Sequence, residues 1–260
     1  MQIVSIQIFF MMVGEYMNLE KKKKIALITG ASRGIGLAIA KEFAAAGYHL
    51  ILTCNNSFDT LKEEAASISK TYHVNCLPLQ ANMGEYGDVE SVFQQIGDLD
   101  VLVNNAGVSY VGLLSDMTVD DWHNIMHVNL DSCFYTCKHA IPLFLKNQSG
   151  RIINISSVWG NVGASMEVAY SATKGGINSF TKALAKELGP SNIPVNAIAC
   201  GIINTAMNAC FSEEDLDAIK EEIPCDRIGE PEEVAKLALQ LAEAPTYLTG
   251  QIITIDGGWC

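Results

Sequence analysis

The chain has 260 residues, 49% of them hydrophobic, and a formal net charge of −12. That length supports one large core, and the apolar content excludes global disorder. The acidity argues against general nucleic-acid binding, which needs a basic footprint.

Ile3 to Val13 is apolar but too short to span a membrane, and it lacks the basic start and small-residue cleavage site of a signal peptide. Residues 1–20 read as an amino-terminal extension, with Met17 as an alternative start, or as a segment packed on a neighbouring subunit. Lys21 to Lys24 read as a solvated strand entrance. Residues 21–260 read as one domain, because no repeat and no Pro/Gly/Ser-rich linker divides them.

From Ile25 onward strands and helices alternate. Strands are expected at Ile25–Thr29, His49–Cys54, Val74–Gln80, Asp100–Asn104, Arg151–Ser156, Val195–Cys200 and Gln251–Asp256. Helices are expected at Ile35–Ala46, Thr60–Ser69, Val89–Ile96, Asp121–Leu145, Glu167–Leu188, Glu213–Glu222 and Glu232–Ala242. Pro78 marks the third strand as an edge. Apolar strands separated by helices imply a seven-stranded parallel sheet covered on both faces, a Rossmann-like doubly wound α/β sandwich. Such a sheet binds ligands beyond the carboxyl ends of its strands.

The glycine turn, Asn104-Asn105, Ser156-Ser157 and Cys200-Gly201 all follow strand ends and converge on that edge. Gly30-Ala31-Ser32-Arg33-Gly34-Ile35-Gly36 joins a strand to a helix and suits a dinucleotide pyrophosphate. Gly30 permits the tight turn, Gly34 close approach, and Gly36 helix-to-strand contact. The second strand ends in Cys54-Asn55-Asn56, without the carboxylate that grips the ribose of NAD. With Arg33 available to a 2′-phosphate, NADP(H) is preferred, and NAD(H) remains possible. Asn104-Asn105-Ala106-Gly107 closes the fourth strand, where Asn105 can tie loop backbone together and Ala106-Gly107 leave room for a ribose.

Ser156-Ser157, with Tyr170-x-x-x-Lys174, carries the chemistry. A tyrosine and a lysine four apart share one helix face. A tyrosine pKa near 10 needs help to exchange protons at neutral pH, and Lys174 is expected to lower it. Ser157 rather than Ser156 is expected to face the substrate oxygen, since strand alternation sends them opposite ways. Asn129 lies inside an expected helix, where it either holds a water in a relay to Lys174 or caps a kink. No metal site is expected, although His123 and His127 stand four apart. Eight cysteines without a CxxC pair read as reduced thiols, mostly buried, in a cytoplasmic protein.

These residues resemble the classical short-chain dehydrogenase/reductases. Thr29 to Gly36, Asn104 to Gly107, Asn129, Ser157, Tyr170-x-x-x-Lys174 and the closing Asp256-Gly257-Gly258 match in order and spacing. The resemblance implies a tetrad of Asn129, Ser157, Tyr170 and Lys174 that protonates a carbonyl oxygen during reduction. It implies cofactor contacts from Gly30, Ser32, Arg33, Gly34, Ile35, Gly36, Asn55, Asn82, Asn105, Ala106, Gly107, Tyr170, Lys174, Gly201, Ile203 and Thr205. Asn82 stands where the family commonly has an aspartate near adenine, and Cys200 stands where it commonly has proline. Residues Gln94 to Gly97 look short, as if the preceding helix were clipped. A homotetramer is implied, with the two long helices as dimer faces.

Within the family the chain is similar to bacterial 3-oxoacyl-acyl-carrier-protein reductases, which implies an acyl-thioester substrate and acyl carrier protein as a partner. A second resemblance rests on Trp159-Gly160, Gly163-Ala164-Ser165 and Glu167. It is to Firmicutes reductases that finish a 5-aminopentanone modification on a lysine of elongation factor P. There Glu167 would meet a substrate amine; the alternative is a first-turn acid suited to a helix start. A third expectation is a catalytically idle dinucleotide-binding protein. Met207 to Pro224, acidic and carrying Phe211, Leu216 and Ile219, is expected to form a substrate lid.

Overall fold

A computed structural model of the chain describes residues 23–208 and 212–260. The expected extension at 1–20 and Phe211 of the lid lie outside the described residues.

Seven strands form one sheet: β1 Ile25–Ile28, β2 His49–Cys54, β3 Cys76–Gln80, β4 Val101–Asn104, β5 Arg151–Ser157, β6 Val195–Cys200 and β7 Ile252–Ile255. Their order is β3-β2-β1-β4-β5-β6-β7, and every neighbouring pair is parallel. The chain therefore winds outward on one side of β1 and then returns to wind the other way from β4. That reversal opens a crevice between the ends of β1 and β4. Pro78, which has no N–H to give, lies on the edge strand β3, in register with Leu52.

Strand alternation divides the core in two. Ala26 and Ile28 of β1 pack on one face with α1 (Gly34–Ala45), α2 (Phe58–Tyr72) and the last helix. Leu27 points to the other face, among Val89, Cys137 and Leu184. β4 and β6 are buried at every position, as a strand covered on both sides must be.

Two expectations change. The helix expected at Val89–Ile96 is α3, Tyr86–Phe93, which starts three residues earlier. The helix expected at Asp121–Leu145 is not continuous. α4 (Val119–Met126) opens on a capping box between Thr118 and Asp121, and α5 covers Ser132–Asn147. Between them His127–Asp131 makes a π-helical turn. A π turn inserts an extra residue and rotates its members off the ordinary helical face. Here it turns Asn129 fully inward.

Beyond β5 a short helix not expected from the sequence, α6 (Trp159–Val162), leads to α7 (Val168–Leu188). α8 (Glu213–Glu222) lies within the segment expected to form a lid and is capped by Ser212 and Asp215. α9 (Pro231–Glu243) carries proline in its first turn, where its missing N–H costs nothing. No helix among the described residues is long and apolar enough to cross a membrane.

Candidate active site

The glycine turn leaves β1 and enters α1. Gly30 has a φ of +66°, and a Cβ on Gly36 would lie 2.4 Å from the Gly30 carbonyl oxygen. A side chain at Gly36 would push the helix start away from the strand. α1 has no acidic residue in its first turn, and exposed Arg33 at its N-cap gives no side-chain cap. Its first N–H groups thus form a cradle for an anion, and the donor set fits a dinucleotide pyrophosphate. Ile35 lies in this first turn and Ser32 is buried just before it.

Asn105 clamps the turn from β4. Its Nδ2 donates to the carbonyls of Thr29, at 2.8 Å, and Gly30, at 3.1 Å. Thr29 Oγ1 accepts the N–H groups of Asn105 and Ala106, each at 2.9 Å. Sequence reasoning placed Thr29 in the motif without assigning it this role. A hydroxyl at a strand end opposite an Asn-Ala-Gly turn was the available signal.

After β2, the Asn55 carbonyl accepts a bond from Gln80 at 2.9 Å. Asn82 Oδ1 accepts the Gly84 N–H at 3.1 Å, and the Asn82 backbone N–H donates to Asp88 at 2.8 Å. Thr205 lies against Gly34, so that a Cβ there would meet Thr205 Cγ2 at 3.3 Å. Ile203 pairs with Gly229 in an isolated bridge, and Gly201 N–H donates to Ile255 at 2.9 Å.

At the carboxyl ends of β5 and β6 a cavity of about 550 Å³ opens. Ile35, Asn105, Gly107, Gly201, Ile203 and Thr205 line it from the crevice side; Ser157, Tyr170 and Lys174 line it further on. The expected alternation of the serines holds. Ser156 turns into the protein, donating to Asn178 Oδ1 at 2.6 Å. The Ser157 hydroxyl accepts the Trp159 N–H at 3.2 Å and stands beside the Tyr170 phenol.

Lys174 is buried, with its Nζ 5.4 Å from the centre of the Tyr170 ring and donating to the Ile155 carbonyl at 2.9 Å. The expectation that Lys174 lowers the tyrosine pKa needs correction. Burial, with the Cys200 thiol and Glu167 adding to it, pushes the phenol up, and the neighbouring Ser157 side chain alone opposes them. Burial also pushes Lys174 down. Burial thus favours the protonated phenol and makes it a weaker acid than free tyrosine.

Asn129 lies at the irregular turn in its helix, as the kink reading expects, and its side chain bonds to protein. Its Oδ1 accepts the Val108 N–H at 2.8 Å, and its Nδ2 donates to Val108 O at 2.8 Å and Thr173 Oγ1 at 3.2 Å. Both amide hydrogens are spent on protein, so the side chain donates none to a relay water. It pins the loop after Gly107 to the helix turn that carries Tyr170.

Glu167 sits at the N-cap of α7 but gives no cap hydrogen bond. Glu167 lines the cavity, and burial pushes its carboxyl up while the neighbouring Trp159 side chain opposes that shift. Trp259, which sequence reasoning did not single out, lines the same cavity. Among the described residues no group of three or more His, Cys, Asp or Glu could hold a metal.

The chain matches the short chain dehydrogenase family over residues 24–216. The 3-oxoacyl-[acyl-carrier-protein] reductase FabG of Aquifex aeolicus is 41% identical over 247 residues, covering 93% of this chain and 99% of that one. YmfI, an uncharacterized oxidoreductase of Bacillus subtilis, is 39% identical over 238 residues, covering 91% and 98%. The crystal structure of YwfH, an NADPH-dependent reductase involved in bacilysin biosynthesis, matches with a TM-score of 0.87 at 29% identity, over 92% of this chain and 99% of that one.

The chain therefore belongs to the short-chain dehydrogenase/reductase family. Within it, the chain is closely related to bacterial FabG-type reductases and is an NAD(P)-dependent oxidoreductase.

Proposed function

We propose that the protein is an NADPH-dependent carbonyl reductase that converts a 3-oxoacyl thioester to a 3-hydroxyacyl thioester. The observation that carries this reading is the Tyr170 phenol, held in the cavity wall between Ser157 and Lys174. The glycine turn, Asn105 and Lys174 would hold NADPH, which when bound would supply the hydride for the carbonyl carbon. Tyr170 gives its proton to the carbonyl oxygen. Ser157 orients that oxygen and stabilises its developing charge, as a preorganised donor does. Lys174 holds the nicotinamide ribose and supplies positive charge beneath the phenol. Asn129 fixes the loop against which these groups are registered.

NADPH is preferred because no carboxylate follows β2 to repel a 2′-phosphate, and Arg33 is exposed beside the glycine turn. The FabG relatives support a thioester substrate and acyl carrier protein as a partner. Exposed Phe134 and Leu145 on α5, with Tyr247 and Leu248 before β7, support a homotetramer.

The test is NADPH oxidation, followed by absorbance, with an acetoacetyl thioester and Tyr170→Phe as control. Tyr170-dependent turnover is expected. Turnover that survives the substitution would remove the proton-donor assignment.

A second reading shares this chemistry and differs in substrate: a ketone bearing an amine, as in the 5-aminopentanone group on elongation factor P. Glu167 favours it. A carboxyl that lines the cavity without capping its helix is placed to meet an ammonium group, and α8 adds an acidic mouth. Turnover of an amine-bearing ketone, with no turnover of the thioester by NADPH-bound protein, would select this reading.

A further inference from the structure

The Asp256-Gly257-Gly258 motif takes no part in the chemistry above, yet its geometry is specific. The Asp256 carboxylate accepts the N–H groups of Gly258, at 3.0 Å, and Cys260, at 2.9 Å. Gly257 and Gly258 have φ values of +70° and +87°. A Cβ on Gly257 would lie 2.7 Å from Ile223 Cγ2, just past the end of α8. The chain thus hooks back beside α8 and delivers Trp259 to the cavity wall.

The Trp259 indole meets Trp159 edge-on, with ring centroids 5.0 Å apart and planes at 61°. Its Nε1 donates to the Glu222 carboxylate on α8 at 3.2 Å. Trp159 in turn lies beside Glu167, three residues before Tyr170, and both line the cavity. Ile219, from the same α8, also lines the cavity. The two indoles therefore bridge α8 and the amino-terminal end of α7.

We propose that Trp259 is a substrate-contacting, specificity-determining residue, and that the closing Asp-Gly-Gly hook serves to place its indole as a wall of the substrate cavity. This rests on the reading of the cavity as the site of carbonyl reduction. Trp259 touches the part of the substrate that does not react. A wide, rigid aromatic face excludes water there and loses little side-chain entropy. Removing it forfeits binding common to the ground and transition states, so KM rises while kcat holds.

The test combines kinetics and near-ultraviolet circular dichroism on full-length Trp259→Ala, Trp259→Phe and Glu222→Ala proteins. With an acetoacetyl thioester, Trp259→Ala is expected to raise KM about tenfold while kcat changes less than about threefold. Its pH profile and NADPH affinity should match the wild type. Trp259→Phe, which keeps a ring but loses the N–H, and Glu222→Ala, which loses the acceptor, should raise KM by smaller factors. A wild-type KM in Trp259→Ala, or a fall in kcat alone, would overturn the proposal.

The paired indoles provide a readout that needs no turnover. Their coupled signal should be present in the wild type and lost in Trp259→Phe. In Tyr170→Phe protein it should shift when NADPH and the thioester are added together. An absent signal, or one that does not shift, would overturn the contact. Failure of wild-type reduction with that shift intact would count against the thioester chemistry and still support the wall.

Discussion

The cofactor side of the crevice is built mostly from backbone, and the substrate side from side chains of four separated segments. On the first side, Gly30, Gly36, the α1 amides and the Asn105 clamp all lie within short motifs that follow β1 and β4. On the second, Trp159, Glu167, Ile219 and Trp259 come from α6, the start of α7, α8 and the chain end. A backbone cradle tolerates no added atom, because its contacts are close and its neighbours are main chain. A side-chain wall can be remodelled without disturbing the sheet. Binding a common cofactor and choosing an individual substrate thus fall to different materials.

The sharpest break in that comparison is Tyr170→Phe, which removes one oxygen from the point where the two sides meet. Losing a general acid costs about 10²–10⁴-fold in rate. Stopped-assay turnover should fall by at least that much, with NADPH affinity measured by fluorescence nearly unchanged.

Gly36→Ala attacks the cofactor side. Its Cβ would sit 2.4 Å from the Gly30 carbonyl oxygen and 2.5 Å from Asn105 Nδ2. Overpacking of this kind costs about 1–3 kcal/mol. Denaturant melts should report that loss, and NADPH affinity should fall with it. Wild-type affinity in a Gly36→Ala protein would show that the cradle yields more readily than its geometry implies.

Glu167→Gln attacks the substrate side and should leave stability and NADPH affinity close to wild type. Against an amine-bearing ketone it should lower kcat/KM by about tenfold, the loss of a charge-assisted hydrogen bond. Against an acetoacetyl thioester the effect should be much smaller. Equal losses with both substrates would remove Glu167 as an amine anchor.

The smallest effect lies outside both sides. Arg227 grips Glu233 through two 2.7 Å contacts and holds its carboxyl down to about 2. The folded value lies below the ordinary 4.5, so this stabilisation is complete above that pH and fades as pH falls toward 2. Arg227→Ala should lower Tm slightly at neutral pH and not at all near pH 2. The pair is exposed, so high salt should also erase the difference.

Much of this design was readable in advance. Apolar runs between helices marked all seven strands, because a strand covered on both faces needs apolar residues throughout. Strand alternation separated Ser157 from Ser156 before either contact was known. The π turn at His127–Asp131 was not readable, since helical periodicity carries no mark for one inserted residue. The direction of the Tyr170 shift was not readable either. Spacing put Lys174 one turn away, but burial outweighs that nearness, and burial is a sum over the whole fold.

By itself, the sequence determined the alternating fold, the glycine cradle and the register of Ser157, Tyr170 and Lys174. Each depends on local periodicity or on residues within one strand-turn-helix unit. The tertiary structure alone decided that Glu167 leaves its cap to face the cavity and that Asn129 spends its amide on Val108. It also decided that Trp259 returns from the chain end to meet Trp159. Those contacts join residues far apart along the chain, and only packing of the helices against the finished sheet brings them within bonding distance.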